Sequence, residues 1–124
     1  MKIEISTSGA YQVIRIDEEF NIISDLSELR YLINGYLNQG KRFIAVSFTN
    51  VSYIYSGAIA VLIDCHKMLI GDNGELCIIE SNPEILTILK YLNIDRIIPF
   101  YISVEDLPPY TGDRNDRDLA DELL

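Results

Sequence analysis

Tryptophan is absent from this 124-residue sequence, histidine occurs once, and cysteine occurs twice, at Cys65 and Cys77. The two cysteines lack the CxxC spacing of a metal or redox motif, and both lie in apolar segments, so we interpret them as buried side chains. No apolar run approaches the roughly 20 residues that span a bilayer. Glu4 interrupts the N-terminal apolar stretch, which argues against a signal peptide. These absences predict a cytoplasmic protein without membrane insertion.

Basic residues are scarce, because 10 Lys and Arg stand against 19 Asp and Glu, for a formal net charge of −9. Nucleic acids and anionic membranes bind basic surfaces, so neither is predicted as a partner. The acidity is uneven, and residues 113–124 hold five acids and two arginines. A charge run of this kind is typical of a solvated end, which in some proteins contacts a basic partner.

The motifs of common catalytic sites are also missing. The sequence contains no GxxxxGK[ST], GxGxxG or GxSxG pattern. The single histidine, His66, lies in an apolar helical stripe, and its neighbours Asp64 and Cys65 point elsewhere on the helix, so we interpret it as structural. The acids at 17–19 follow a strand and could hold a metal ion, but a solvated charge run is the more common case, and we interpret them as one. The sequence therefore predicts a binding module that is not an enzyme and needs no metal or cofactor.

Predicted strands alternate with predicted helices along the chain. The first helix has capping residues at Ser24 and Asp25 and a glycine stop at Gly40. Asn82 and Pro83 begin a later helix. The order β-β-α-β-α-β-α-β-α predicts an α/β fold with a mixed, mostly parallel sheet, an N-terminal antiparallel hairpin and about four helices. The predicted strands are 2–7, 11–16, 42–48, 75–80 and 97–101, and the later helices are 57–70, 83–92 and 103–107.

Two prolines at 108–109 end the predicted compact part of the chain. We therefore predict one domain, residues 1–107, followed by an acidic C-terminal tail, residues 108–124. Leu119 and Leu123 could give the tail one or two amphipathic turns, and a disordered tail is equally compatible with its composition.

The most informative segment is 51–62, Val-Ser-Tyr-Ile-Tyr-Ser-Gly-Ala-Ile-Ala-Val-Leu, which follows a buried strand and opens a helix. It resembles the loop Ile-Asp-Ser-Ser-Gly-Leu-Gly-Val-Leu of the STAS domain of anti-sigma-factor antagonists. Ile54, Ser56, Val61 and Leu62 are identical to the family's residues. Tyr55 replaces Asp, Gly57 replaces the second Ser, Ala58 replaces Gly, and Ile59 and Ala60 replace Leu and Gly. The element order over residues 1–107 also resembles this family.

The resemblance implies a STAS-like fold and a function in protein binding. In the family, the first Ser of the loop is phosphorylated by a partner anti-sigma kinase, and phosphorylation breaks the complex. By position, that phosphorylation site is Ser56. The resemblance also implies a partner-binding surface, and its predicted members are Asn21, Tyr53, Tyr55, Ser56, Gly57 and Ala58. Ser56 can alternatively be an ordinary helix N-cap.

Several functions remain open at this point. The first is a regulatory partner switch that binds an anti-sigma or related kinase. The second, favoured by the loss of the family's Asp at Tyr55, is a non-switching STAS subunit of a larger assembly, such as a transport ATPase or a stressosome-like scaffold. A third alternative is a small-molecule or nucleotide sensor, because Asn21 and the loop could line a shallow cleft. A fourth is an enzyme, which no constellation of residues supports. The oligomeric state is open between a monomer and a homodimer.

Overall fold

The computed structural model describes residues 2–17, 22–23, 25–49, 51, 53–80 and 82–108. Their main sheet has five strands: β1 (Lys2–Ser8), β2 (Tyr11–Asp17), β4 (Phe43–Thr49), β6 (Glu75–Ile79) and β7 (Phe100–Tyr101), in the spatial order β1-β2-β4-β6-β7. The β1–β2 pair is antiparallel and the other three pairs are parallel. The predicted α/β class, mostly parallel sheet and N-terminal hairpin are confirmed.

Three α-helices and two 3-10 turns belong to the described residues. The helices are α1 (Ser27–Asn38), α2 (Ser56–Gly71) and α3 (Pro83–Tyr91), and the 3-10 turns are Ile94–Arg96 and Val104–Asp106. The second of these turns takes the place of the predicted fourth helix, because the chain reaches Pro108 before another α-helical turn can form. Within the described residues, none of the helices has the length and the apolar composition that crossing a membrane requires.

Side-chain alternation in the strands divides the core between the two faces of the sheet. On the helical face, Ile14, Ile44 and Leu76 belong to one cluster together with residues of all three α-helices. On the opposite face, Val13, Ala45 and Cys77 belong to a smaller cluster that also includes Leu107. Because both faces are covered, the central strands are almost continuously apolar, as the sequence predicted for a parallel sheet.

A second, two-stranded sheet was not predicted. It joins β3 (Ile22–Ile23) to β5 (Tyr53–Ile54) in parallel, and both Ile23 and Ile54 are buried in the helix-side core. Each strand has only two residues, which is too short to show a periodic pattern in the sequence. Strand β5 lies directly before α2 in the chain, so this small sheet sets the backbone of the segment that resembles the family loop.

Two predicted boundaries differ from the structure by more than one residue. Helix α1 begins at Ser27 and not at the predicted caps, because the Asp25 carboxylate accepts hydrogen bonds from the Ser27 N–H at 2.8 Å and the Ser27 hydroxyl at 3.0 Å. That local ring competes with an earlier helical turn. The predicted strand 97–101 is reduced to Phe100–Tyr101. The division between domain and tail at residue 107 stays a prediction, because residues 109–124 lie outside the described part of the chain.

Candidate partner-binding site

The segment between β4 and α2 presents alternating buried and exposed side chains. Its backbone is extended through Tyr53 and Ile54, so successive side chains point to opposite sides. Ile54 is buried in the core, whereas Tyr53 and Tyr55 are 46% and 50% exposed. The Tyr55 N–H donates to the Ile23 carbonyl at 2.9 Å, which fixes this alternation in place. The buried isoleucine thus anchors a short segment whose two aromatic rings face outward.

The two tyrosines form a single aromatic surface. Their ring centroids lie 5.1 Å apart with an interplanar angle of 74°, an edge-to-face contact. Such a contact restrains both rings without burying them. Tyrosine is enriched at the energetic centres of protein interfaces, because it supplies a large apolar area at a small cost in side-chain entropy. The chemistry of this surface therefore suits the binding of another protein.

Ser56 is the first residue of α2, as the sequence predicted for its position at the helix start, and it is exposed. The N-cap is Tyr55, with an extended backbone at φ −74° and ψ 155°. The interpretation of Ser56 as an N-cap is therefore wrong, because the helical conformation already includes it. The side chain of the N-cap residue, Tyr55, makes no capping hydrogen bond to any residue that the structure describes, and Ser56 itself is not the cap.

The N-terminus of α2 is electrostatically unusual for a protein with a net charge of −9. Its first turn contains no acidic residue. The Tyr55 carbonyl accepts from the N–H groups of Ala58 and Ile59 at 3.0 and 3.1 Å. The N–H groups of Ser56 and Gly57 have no acceptor within the helix, as in the first turn of any α-helix. This end of α2 carries partial positive charge, which favours an anionic group on Ser56.

The other predicted surface residues have different positions. Gly57 is exposed, and a Cβ added there would meet no atom within 4 Å. Ala58 is fully buried, so its side chain lies in the core below the surface that the sequence assigned to it. Asn21 lies outside the described residues. The structure thus brings Tyr53, Tyr55, Ser56 and Gly57 together, and only these four are kept in the site.

A groove on the neighbouring helix α3 extends this surface, and the sequence did not predict its role. It has a volume of about 350 Å³ and is lined by Tyr53, Thr87, Ile88, Tyr91 and Leu92. Tyr91 is 85% exposed and Leu92 is 44% exposed. Leu92 follows the last residue of α3, so helical periodicity no longer determines its direction. In the sequence, the only indication of this exposed apolar patch is the pair of adjacent large apolar residues, Tyr91 and Leu92, at the end of a predicted helix.

His66 lies away from this surface, at the buried side of α2. Burial lowers the pKa of its imidazole, while the Glu75 carboxylate and a backbone hydrogen bond at Leu76 oppose that shift. Its Nδ1 has no hydrogen-bond partner among the residues that the structure describes. No group of three or more His, Cys, Asp or Glu side chains in the described ranges has the arrangement of a metal site. Glu18 and Glu19 lie outside those ranges.

Comparison with known proteins identifies the family of this arrangement. The family model of the STAS domain matches residues 2–107. The chain belongs to the STAS domain family. This match covers most of the chain, and it includes the β5–α2 segment and the groove on α3. A search of curated proteins finds no match.

Solved structures share the STAS fold with this chain. The NMR structure of TM1081 superposes with a TM-score of 0.69 at 18% identity, covering 86% of this chain and 85% of the other. A crystal structure of the same Thermotoga maritima protein, assigned as an anti-sigma factor antagonist, gives a TM-score of 0.67 at 17% identity, with coverages of 84% and 89%. The unphosphorylated Bacillus anti-sigma factor antagonist SpoIIAA superposes with a TM-score of 0.61 at 14% identity, covering 94% of this chain and 96% of the other. At these identities the likeness establishes the fold alone.

Proposed function

We propose that this STAS domain is a regulatory protein-binding module, similar to an anti-sigma-factor antagonist, that docks a protein partner through Tyr53, Tyr55, Ser56 and Gly57. The observation that carries the proposal is the exposed Ser56 at an uncapped helix start, directly beside two half-exposed tyrosines in contact. The aromatic pair supplies the binding area, and the serine supplies a hydroxyl that a kinase can modify. The module acts by binding and not by catalysis.

Phosphorylation of Ser56 is the proposed control. The partner kinase would transfer the γ-phosphoryl group of ATP to the Ser56 Oγ: the new O–P bond forms, the bond to the ADP leaving group breaks, and the hydroxyl proton is released. A phosphate adds about −1.5 to −2 charges. The positive end of α2 tolerates that charge within the domain. The same charge and its hydration oppose the packing of an apolar partner surface on Tyr53 and Tyr55, so phosphorylation releases the partner.

Two further points support this control. SpoIIAA, which shares the fold, has solved structures in both its phosphorylated and its unphosphorylated form. The phosphorylated form superposes on this chain with a TM-score of 0.59 at 13% identity, covering 94% of this chain and 98% of the other. Ser56 also stands at the position of the family's phosphorylated serine in the loop resemblance.

A second candidate function follows from Tyr55. A tyrosine stands where the family loop has an aspartate, so the N-cap of α2 has lost both its charge and its capping oxygen. This change favours a constitutive contact, in which the domain is a non-switching subunit of a larger assembly such as a transport ATPase or a stressosome-like scaffold. In that case a partner remains bound whatever the charge at position 56.

The two functions differ in one experiment. The full chain, Ser56→Asp and Ser56→Ala are used to capture partners from lysate of the source cells, and the recovered wild-type chain is analysed by intact mass before and after phosphatase treatment. The switch predicts a phosphatase-sensitive added phosphate that Ser56→Ala lacks, and a partner that Ser56→Asp fails to retain. Asn34→Asp, an exposed position on α1, adds the same charge elsewhere and should retain the partner.

The opposite pattern would exclude the switch. If Ser56→Asp captures the same partner as the wild type, and the chain carries no phosphate, the constitutive subunit is the better account. If Tyr55→Ala and Tyr53→Ala also retain that partner, docking at this surface is itself excluded.

A further inference from the structure

Strand β1 is the outer edge of the five-stranded sheet and is unusually open to pairing. It has seven residues, no proline and no glycine, and all seven pair with β2 on one side only. Among the described residues no strand pairs with its other side. Proteins commonly protect such edges with proline, bulges, short length or charged side chains, because an unprotected edge is a template for another strand. Of these protections β1 has only the charges of Lys2 and Glu4, at the end of the strand away from the hairpin turn. The opposite edge, β7, has only two residues, which is one of these protections.

The hairpin register determines which backbone groups of β1 are available. Gly9 and Ala10 form a two-residue turn, and Ser8 pairs with Tyr11 across it. In a two-residue hairpin this closing pair is hydrogen-bonded, and hydrogen-bonded and non-hydrogen-bonded pairs then alternate. The N–H and C=O groups of Lys2, Glu4, Ser6 and Ser8 therefore bond to β2. Those of Ile3, Ile5 and Thr7 point outward.

The same three residues carry side chains toward the helical face of the sheet. Ile5 pairs with Ile14 and Ile3 with Ile16, and both of these β2 residues are fully buried in the helix-side core. Ile3 packs against that core, but Ile5 is 51% exposed. The helix-side core therefore extends to the edge strand β1, where Ile5 is partly exposed beside the outward-pointing N–H and C=O groups.

Charge favours a second copy of this chain as the occupant. The chain has a net charge of −9, yet the hairpin 2–17 contains two basic and two acidic residues, so its net charge is zero. Copies of a strongly acidic protein repel each other least where their facing surfaces are neutral. Charges farther than about 8 Å away are screened at physiological ionic strength.

We propose that β1 is a homodimer interface in which two copies pair antiparallel with Ile5 opposite Ile5. In this register Ile3 faces Thr7, Glu4 faces Ser6, and Lys2 faces Ser8, so no like charges are opposite each other. The outward backbone groups of both strands then fall into hydrogen-bonded pairs, and the two sheets join into one of ten strands. The twofold axis is perpendicular to the sheet, which keeps both helical layers on the same side and buries the two Ile5 side chains against each other.

The test uses the full chain in sedimentation equilibrium over a wide range of protein concentration. The wild type should associate to a dimer, and Ile5→Lys should be monomeric, because two lysines would face each other at the axis. Thr7→Pro is a second variant, since it removes an outward N–H that the hairpin does not use, and proline is tolerated at such edge positions. It too should lose the dimer. Circular dichroism should show both variants folded.

A disulfide trap tests the register directly. Paired Cα atoms at a hydrogen-bonded position are about 5.5 Å apart, within the range that a disulfide bridges, so Ile5→Cys should form a covalent dimer on mild oxidation. Glu4→Cys is the matched control, because its two copies would be about 8 Å apart, beyond the limit of about 7 Å. The native Cys65 and Cys77 are buried, and burial raises the pKa of both thiols, so they do not compete.

A wild-type chain that is monomeric at every concentration would overturn the proposal. A dimer that survives both Ile5→Lys and Thr7→Pro would overturn it as well, since the contact would then lie elsewhere. Equal cross-linking by Glu4→Cys and Ile5→Cys would exclude the register. None of these results bears on the Ser56 surface, so this proposal and the proposed partner binding can fail separately.

Discussion

Tyr53 and Tyr55 contact each other edge to face on the outside of the domain, while the residue between them, Ile54, is buried in the core. The buried Ile54 therefore anchors the backbone that carries both exposed rings. Side chains presented in this way can be removed without large effects on folding. This separation makes their contribution to binding measurable.

Tyr55→Ala should weaken partner binding by more than about 1 kcal/mol and leave the fold intact, because an exposed aromatic anchor contributes to the interface and little to the core. Isothermal titration with the captured partner measures the affinity, and thermal unfolding measures the stability. Tyr31→Ala is the control, since Tyr31 is 79% exposed on α1. Unchanged affinity of the Tyr55 variant would remove this residue from the surface.

Tyr55→Asp should stabilise the domain by about 1 kcal/mol, because the N-cap backbone is already extended and an aspartate there can accept from a first-turn N–H. Tyr53→Asp adds the same charge at an exposed position that is not a cap, and should give no comparable gain. Chemical denaturation of both variants measures the difference. Equal effects of the two variants would show that charge near α2, and not capping, is responsible.

Ser56→Ala should change the free energy of unfolding by less than about 0.5 kcal/mol, since Ser56 is exposed and is not the cap. Ser56→Asp should raise it by about 0.5 kcal/mol, because an acid would then occupy the first turn of a helix that has none. Both values come from urea unfolding at low ionic strength. A loss of about 1 kcal/mol in Ser56→Ala would restore a capping role for the hydroxyl.

Gly74→Ala should destabilise the domain by about 2 kcal/mol. A Cβ at this turn would collide with the carbonyl oxygen and Cβ of Arg42, and that oxygen accepts the Glu75 N–H at 2.9 Å. Gly71→Ala is the matched control, because a Cβ there meets open space and the change should stay within about 0.5 kcal/mol. Similar melting temperatures for the two variants would contradict the close approach.

Acidification should destabilise the domain through His66. Burial lowers the pKa of His66 in the folded state below its ordinary value of 6.5, so the unfolded state binds the proton more readily. The contribution of the neutral imidazole is complete above about pH 6.5 and is lost as the pH falls below it. Melting temperatures of the wild type and His66→Gln are measured between about pH 8 and pH 5.5. The melting temperature of the variant should fall less over this range than that of the wild type. Parallel curves would assign the pH dependence to other groups.

The main elements could be predicted because their sequence patterns are long. Strand β4 is apolar over most of its seven residues, and helix α2 extends over 16 residues. The observed ends of both elements lie within one residue of the predicted ends. Asn82 caps α3 as its sequence indicates, and its side chain accepts the Glu84 N–H at 3.0 Å. Local chemistry of this kind is visible without a structure.

The features that were missed depend on contacts between distant segments. Ile23 and Ile54 meet in a sheet of two-residue strands, which leaves no periodic signal. The groove combines Tyr53 with Tyr91 and Leu92 from another element, and only the packing of α3 reveals it. Ala58 was assigned to the surface from its place in the loop, whereas the first turn of α2 directs its side chain into the core. The sequence alone therefore identified the segment before α2, but it did not show which side chains of the first helical turn face outward.

The pairing of β3 with β5 also has a consequence for folding. Ile22 pairs with Tyr53, 31 positions later in the chain, so the backbone of the tyrosine pair depends on a long-range contact, whose loop-closure cost local helices do not have. An incomplete or partly folded chain therefore lacks the arranged tyrosines, even if α2 has already formed. A partner that recognises both rings would distinguish finished molecules from immature ones, and its binding would act as a check on the quality of folding.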